Sequence, residues 1–233
     1  DKKSLKNNLS LIDRLSLSNP QKAEKEIRKI NQSDLNLTER LRLKSKLAYV
    51  LLMQGKEIES RNLYLKINQI ATENNLLLYK GEALYGLAEI TMNYDVESAI
   101  KYSQNASEIF KSLNAKEKEA KATKTLANAY YSFGNLEEAL KWYKYTLKIT
   151  ANENTKMYAS ALANTALIYR EKGQLQKSIK MFLLSKEKME ILDYNRGICI
   201  ICNNIAETYL LMGEYEKSLE FYNKGLNKAQ EIE

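Results

Sequence analysis

Compared with itself, this 233-residue chain repeats. Alanine stands at 48, 88, 127, 166 and 206, at intervals of 40, 39, 39 and 40. Four of the five are followed seven residues on by Gly55, Gly134, Gly173 or Gly213, and a second small residue comes next, at Ser60, Ala99, Ala139, Ser178 or Ser218. The copy at Ala88 has one residue fewer in its turn. A fixed period of this length marks an array of supersecondary units, none of which can bury its apolar face alone. Each unit reads as two antiparallel helices, which approach to about 8–10 Å only where the contact points are small. Ala127 and Ala139 are such points. Leu126 and Tyr130 on the first helix, and Leu140, Tyr143 and Leu147 on the second, fill the space around them at helical spacing. Gly134 supplies the left-handed residue that ends the first helix, and Asn135 with Glu138 reads as a capping box opening the second.

Composition agrees with an all-α chain. There are only one proline and eight glycines, too few for folds that need a turn residue every few positions. Hydrophobic residues make up 44% and charged residues 28%, the range of ordinary globular proteins able to bury a core. Histidine is absent, which removes the commonest general base and metal ligand. The formal charge of +7 is spread among interleaved acids and bases, so the surface is slightly basic without a basic tract. Two cysteines provide no disulfide framework. No apolar run approaches the roughly 20 residues of a membrane span, and residues 1–15 lack a signal-peptide core. Beginning at Asp1 and stopping within a helical pattern, the sequence reads as a processed product or an excised region.

The stretch Leu126-Ala127-Asn128-Ala129-Tyr130-Tyr131, then Gly134, Glu138-Ala139-Leu140, Tyr143 and Leu147, resembles a tetratricopeptide repeat. Ala166, Tyr169, Gly173, Ser178 and Phe182 keep its spacing, as do Ile205-Ala206, Tyr209, Gly213, Ser218 and Tyr222. Upstream, Leu47-Ala48, Gly55, Ser60 and Tyr64 fit, and Leu87-Ala88, Ala99 and Ala106 fit with the shorter turn. A degenerate pair precedes them, because Ser18-Asn19-Pro20 places a cap and an N1 proline before Ala23, Ile27 and Ile30. The family resemblance implies a single right-handed superhelical solenoid over 1–233, with helix pairs at 1–35, 36–76, 77–115, 116–154, 155–193 and 194–233. Six pairs leave no room for a catalytic domain. The usual repeat has about 34 residues. Longer ones resemble those of bacterial signalling proteins, whose sensor regions are joined to a kinase, a cyclase or a DNA-binding regulator. Leu192-Asp193-Tyr194-Asn195-Arg196-Gly197-Ile198 and Asn203-Asn204-Ile205-Ala206 carry that likeness, as does Ser18-Asn19-Pro20-Gln21-Lys22-Ala23. Peptide-sensing regulators and kinesin light chain-like adaptors also carry long repeats.

Several features have ordinary structural readings. Cys199 and Cys202 form a C-x-x-C without the second half of a zinc site, and Cys202 falls at a buried position of the repeat, where cysteine acts as a small hydrophobe. Of sixteen tyrosines, Tyr64, Tyr130, Tyr143, Tyr169, Tyr209 and Tyr222 are expected in the core rather than on a base-stacking surface. Trp142 is expected to pack between repeats. Binding is expected on the concave face formed by the first helices, lined by Ser45, Tyr49 and Leu52, by Tyr85, Glu89 and Met92, and by Lys124, Asn128 and Tyr131. Ala163, Asn164, Leu167 and Arg170, then Asn203, Asn204, Glu207 and Leu210, complete it.

Lys124, Asn128 and Asn164 match three positions of the family's carboxylate clamp, while Ile200 and Asn204 stand where its two other cations would be, so the full clamp is absent. Lys124, Asn128, Tyr131, Asn164, Arg170 and Asn204 form the candidate site. Asparagine amides there can bond both N–H and C=O of an extended backbone. They can equally be plain exposed groove residues. The expected function is a non-catalytic scaffold for a protein or peptide ligand, in the sensor region of a bacterial signalling protein. It uses no cofactor or metal, binds no specific nucleic acid and inserts in no membrane. The expected partners include a fused effector domain outside this chain, and an extracytoplasmic placement is favoured over a cytoplasmic one. The alternative, an RNA-binding helical-repeat protein, needs a basic concave face, yet Glu89 and Glu207 fall in the lining.

Overall fold

The computed structural model describes residues 2–33, 35–151 and 155–231, with side chains from residue 9 onward. The described residues form twelve helices and no strand. They fall into two compact units, Asp1–Ala115 and Lys116–Glu233, and the division coincides with an expected boundary between helix pairs. The first unit holds α1 (Lys2–Ser18), α2 (Pro20–Lys29), α3 (Leu37–Met53), α4 (Glu57–Glu73), α5 (Leu77–Thr91) and α6 (Val96–Ser112). The second holds α7 (Lys116–Ser132), α8 (Leu136–Ile149), α9 (Lys156–Glu171), α10 (Leu175–Ile191), α11 (Asn195–Leu211) and α12 (Tyr215–Gln230). Within each unit every helix packs on the next, and α7 also meets α9. The junction at 152–154 between the fourth and fifth pairs lies outside the described residues.

Turn chemistry sets the helix lengths. Gly55, Gly134, Gly173 and Gly213 have φ of 74°, 82°, 69° and 75° and close the first helix of their pairs. At Gly134 its own N–H donates to Tyr131 O and the Asn135 N–H donates to Tyr130 O, both at 2.9 Å, the double bond of a Schellman motif. Between pairs the same motif uses Asn75, Asn114 and Asp193, at φ of 55°, 52° and 48°. The short turn of the third pair has no such residue. There Asp95 caps α6 by accepting from the Ser98 N–H at 3.1 Å.

The small positions meet as the period requires. Ala48, Ala88, Ala127, Ala166 and Ala206 are all fully buried, as are Ser60, Ala99, Ala139 and Ser178 from the second helices. Where the second helix carries serine, its hydroxyl donates to the facing alanine carbonyl: Ser60 to Ala48 at 2.7 Å and Ser178 to Ala166 at 2.8 Å. A second rung lies seven residues further along. Ser185 donates to Ala159 O at 2.8 Å, and the Thr123 and Thr146 hydroxyls meet at 2.8 Å. Buried hydroxyls are thus satisfied without widening the helix pair.

Two expectations need correction. Asn135 accepts from the Glu138 N–H at 3.1 Å, but the Glu138 carboxylate turns to Lys141, at 2.9 Å for its nearer oxygen, so the box is only half made. A complete capping box opens α3, with Asn36 and Glu39 bonding reciprocally at 3.0 Å. Tyr222, expected in the core, is 37% exposed, whereas its counterparts Tyr143 and Phe182 are 2% and 0% exposed. The latter two lie beneath the following first helix. Among the described residues no further helix covers α12.

The degenerate first pair is present as α1 and α2. Asn19 accepts from the Lys22 N–H at 3.0 Å ahead of Pro20, and Ala23 and Ile27 are buried. Glu24 joins α2 to the next pair by accepting from Lys56 and Gln54, each at 2.9 Å. The hydrogen bond from Lys56, helped by Arg28 and Gln54, holds its carboxyl down to about 2 from the usual 4.5, against the opposing effect of burial. Because the folded-state value is depressed, this group stabilises the fold above about pH 4.5 and loses that contribution as pH falls toward about 2. With Lys56 partly exposed, roughly 1 kcal/mol is expected. Glu24→Gln should therefore melt earlier than the parent at pH 7 and converge with it near pH 2, as followed by circular dichroism.

Candidate functional site

The six candidate residues all lie in the second unit, on α7, α9 and α11. Hydrogen bonds between side chains join these first helices along one face. The Asn164 Nδ2 donates to Asn128 Oδ1 at 3.2 Å, from α9 to α7. Tyr131 donates its hydroxyl to Glu171 across the same gap. Arg170 carries the row on to α11, donating to Glu207 Oε2 at 2.8 Å and to Asn204 O at 3.4 Å. Its guanidinium lies 6.0 Å from the Phe182 ring centroid.

Asn128 and Asn164 are set by a residue that the repeat pattern assigns to the core. The Tyr143 hydroxyl of α8 donates to Asn128 Oδ1 at 2.5 Å, so that oxygen receives two donors. Burial, the largest influence, pushes the Tyr143 hydroxyl well above its usual 10, and it remains a donor. Tyr131 is pushed up to about 12 by burial and by the hydrogen bond to Glu171. Both phenols are neutral at any ordinary pH. The face offers amides, hydroxyls and the Arg170–Glu207 ion pair.

Lys124 is half-buried one turn before Asn128 and pairs with no carboxylate among the described residues. It is a cation presented beside the amide pair. Asn204 does not join that pair: its Nδ2 donates to Ile200 O at 3.1 Å, one turn back on its own helix. The structure thus brings together Asn128 and Asn164, places Tyr131 and Arg170 in neighbouring bridges, and turns the Asn204 amide away. Ala163, expected in the lining, is 7% exposed and belongs to the core between α9 and α11. In the first unit the Ser45 hydroxyl is buried without a partner, so it too is removed from the lining.

Sequence reasoning missed the Tyr143 hydroxyl because a tyrosine and a phenylalanine fit that repeat position equally well. It also missed Glu119, 6% exposed on α7, which accepts from the Tyr145 hydroxyl at 2.6 Å. Cys202 is buried in the core and its thiol pushed up, chiefly by burial, while Cys199 is half-buried; both are free thiols. Trp142 packs at the α8 core and meets Tyr145 edge-on at 5.8 Å. Among the described residues no helix is long and apolar enough to cross a membrane.

Models of the tetratricopeptide repeat match residues 122–152 and 157–231. Over those residues the chain carries tetratricopeptide repeats. No curated protein matches it in sequence. Among solved structures, a kinesin light chain from Podosopora anserina with nearly identical TPR-like repeats is 17% identical, with TM-score 0.71 over 85% of this chain and 98% of that one. NprR, solved in complex with its cognate peptide NprX, is 21% identical, with TM-score 0.68 over 97% of this chain and 67% of that one. A signal-transduction ATPase from Pyrococcus horikoshii with a tetratricopeptide-repeat sensor is 15% identical, with TM-score 0.78 over 96% of this chain and 35% of that one. These likenesses establish an all-α repeat fold over nearly the whole chain.

Proposed function

We propose that this chain is a non-catalytic binding scaffold that holds an extended peptide segment along α7, α9 and α11, as the sensor or interaction region of a bacterial signalling protein. The observation that carries the proposal is the amide pair Asn128–Asn164, fixed across two first helices by Tyr143 and flanked by the unpaired Lys124. Ordering these side chains before binding lowers the entropy lost when a flexible segment docks. A peptide in NprR and a sensor role in the ATPase, each on a similar fold, support the same reading.

The test is selection of binders from a random peptide library, followed by titration calorimetry. Lys124→Glu and Asn164→Ala should each weaken the selected peptide several-fold, since losing one hydrogen bond costs about 0.5–1.5 kcal/mol. Thermal melts establish that both variants are folded. Unchanged affinity in folded variants would remove the site. Sequence-selective RNA binding that survives physiological salt would replace the proposal with a nucleic-acid one.

A further inference from the structure

In the first unit a cleft of about 570 Å³ is walled by α4, α5 and α6. Small-molecule pockets span about 300–1,000 Å³. Two close approaches shape it: Gly86 makes room for the Tyr64 ring of α4 and Gly81 for the Phe110 ring of α6, since a Cβ at either glycine would overlap the ring. Both helices are thereby seated on α5. The rows Asn68 and Thr72, Lys80 and Leu84, and Asn105 and Ile109, each one turn apart, line the space that remains. Its polar groups are unmatched within the protein. Asn68 Oδ1 is buried without a hydrogen-bond partner, a state that buried acceptors rarely keep. Lys80 is half-buried and forms no ion pair among the described residues. Glu108 of α6 accepts from Gln104 on its own helix at 3.2 Å and does not pair with Lys80, so two opposite charges share the cleft without joining. The repeat does not require this set. In the next copy Glu119 and Tyr145 stand at the places of Lys80 and Asn105 and bond to each other at 2.6 Å. One copy further, Tyr158, Leu162 and Leu184 stand at the places of Lys80, Leu84 and Asn105.

We propose that this cleft binds a small zwitterion, an α-amino acid with an apolar side chain. Its carboxylate meets Lys80 and its ammonium meets Glu108, in charge-assisted hydrogen bonds, which are the strong ones. The ammonium carries three donors, one of which serves the stranded Asn68 acceptor. The apolar side chain lies on Leu84, which is buried, and on Ile109. A simple anion in the cleft would be repelled by Glu108 and a simple cation by Lys80. Only a ligand of both signs uses both walls. A short peptide with both ends charged carries the same chemistry with its charges further apart. The cleft is separate from the row on α7, α9 and α11, so this proposal goes beyond the peptide reading and does not depend on it.

Two-dimensional amide NMR of the full chain, titrated with L-leucine up to about 20 mM, detects such a site even at millimolar affinity. Shifts should gather on α4, α5 and α6. N-Acetyl-leucine and leucinamide, each lacking one charge, should bind at least about tenfold more weakly, the factor for one hydrogen bond to a charged group. Lys80→Gln should weaken leucine by a similar factor and leave leucinamide unchanged, which ties the carboxylate to Lys80. Asn105→Tyr, which installs the residue found at the same place in the next copy, should fill the cleft and abolish binding with unchanged helical circular dichroism. Leucyl-glycine binding more tightly than leucine would assign the same two charges to the ends of a short peptide. Absence of shifts on these helices with either compound would overturn the proposal. Equal binding of the two blocked analogues would overturn it too, as would a Lys80→Gln variant that binds leucine as the parent does.

Discussion

Phe182→Ala is expected to cost about 3–5 kcal/mol, while Tyr222→Ala, at the same place in the next repeat, should cost less than about 1 kcal/mol. Phe182 is fully buried beneath α11, among Ile198, Ile201, Cys202 and Ile205, and its removal leaves a cavity that the helices on either side hold open. Tyr222 loses much less contact because its outer side faces solvent. Urea unfolding measures both. In a stacked array each pair leans on its neighbours, so the Phe182 variant should also loosen α11 and α12. Similar midpoints for the two variants would mean that burial does not follow the repeat in the manner described.

Ala127→Leu is the second large effect. Ala127 and Ala139 are both fully buried where α7 meets α8, and a leucine there must force the helices apart or abandon its rotamer. Overpacking costs about 1–3 kcal/mol, and here the higher figure is expected because the hydroxyl contact of Thr123 with Thr146 would be strained as well. Lys144→Leu, on the exposed face of α8, serves as the control and should shift the urea midpoint little.

The amide pair makes a smaller, more diagnostic prediction. Asn128→Ala leaves the buried Tyr143 hydroxyl without its acceptor, at a cost of about 1–3 kcal/mol. Adding Tyr143→Phe should recover part of that loss, because no polar group is then stranded. A double-mutant cycle measured by urea unfolding should therefore show a coupling of about 1 kcal/mol, and strict additivity would deny the contact.

The repeat alone disclosed the helix pairs, since the requirement for small residues at Ala48, Ala88, Ala127, Ala166 and Ala206 is written into the spacing. It likewise disclosed the turns at Gly55, Gly134, Gly173 and Gly213, where only a left-handed residue closes the helix. The turns between pairs were less legible, because Asn75, Asn114 and Asp193 adopt the same conformation without the glycine signal. Side-chain destinations were least legible. Glu138 could cap its own helix or pair with Lys141, and Asn204 could reach across the row or back to Ile200, with little energy separating the choices. Tyr222 was misassigned for a different reason: its position is buried only when another helix follows, a fact external to the residue itself.

Photo-crosslinking tests the central claim most directly. A benzophenone amino acid placed at Lys124 or Tyr131, on the row of first helices, is compared with one at Lys144 or Leu183, exposed on α8 and α10. Irradiation with a selected peptide should yield adducts from positions 124 and 131 that excess unlabelled peptide abolishes. Competed adducts arising only from 144 or 183, with none from 124 and 131, would contradict recognition along α7, α9 and α11.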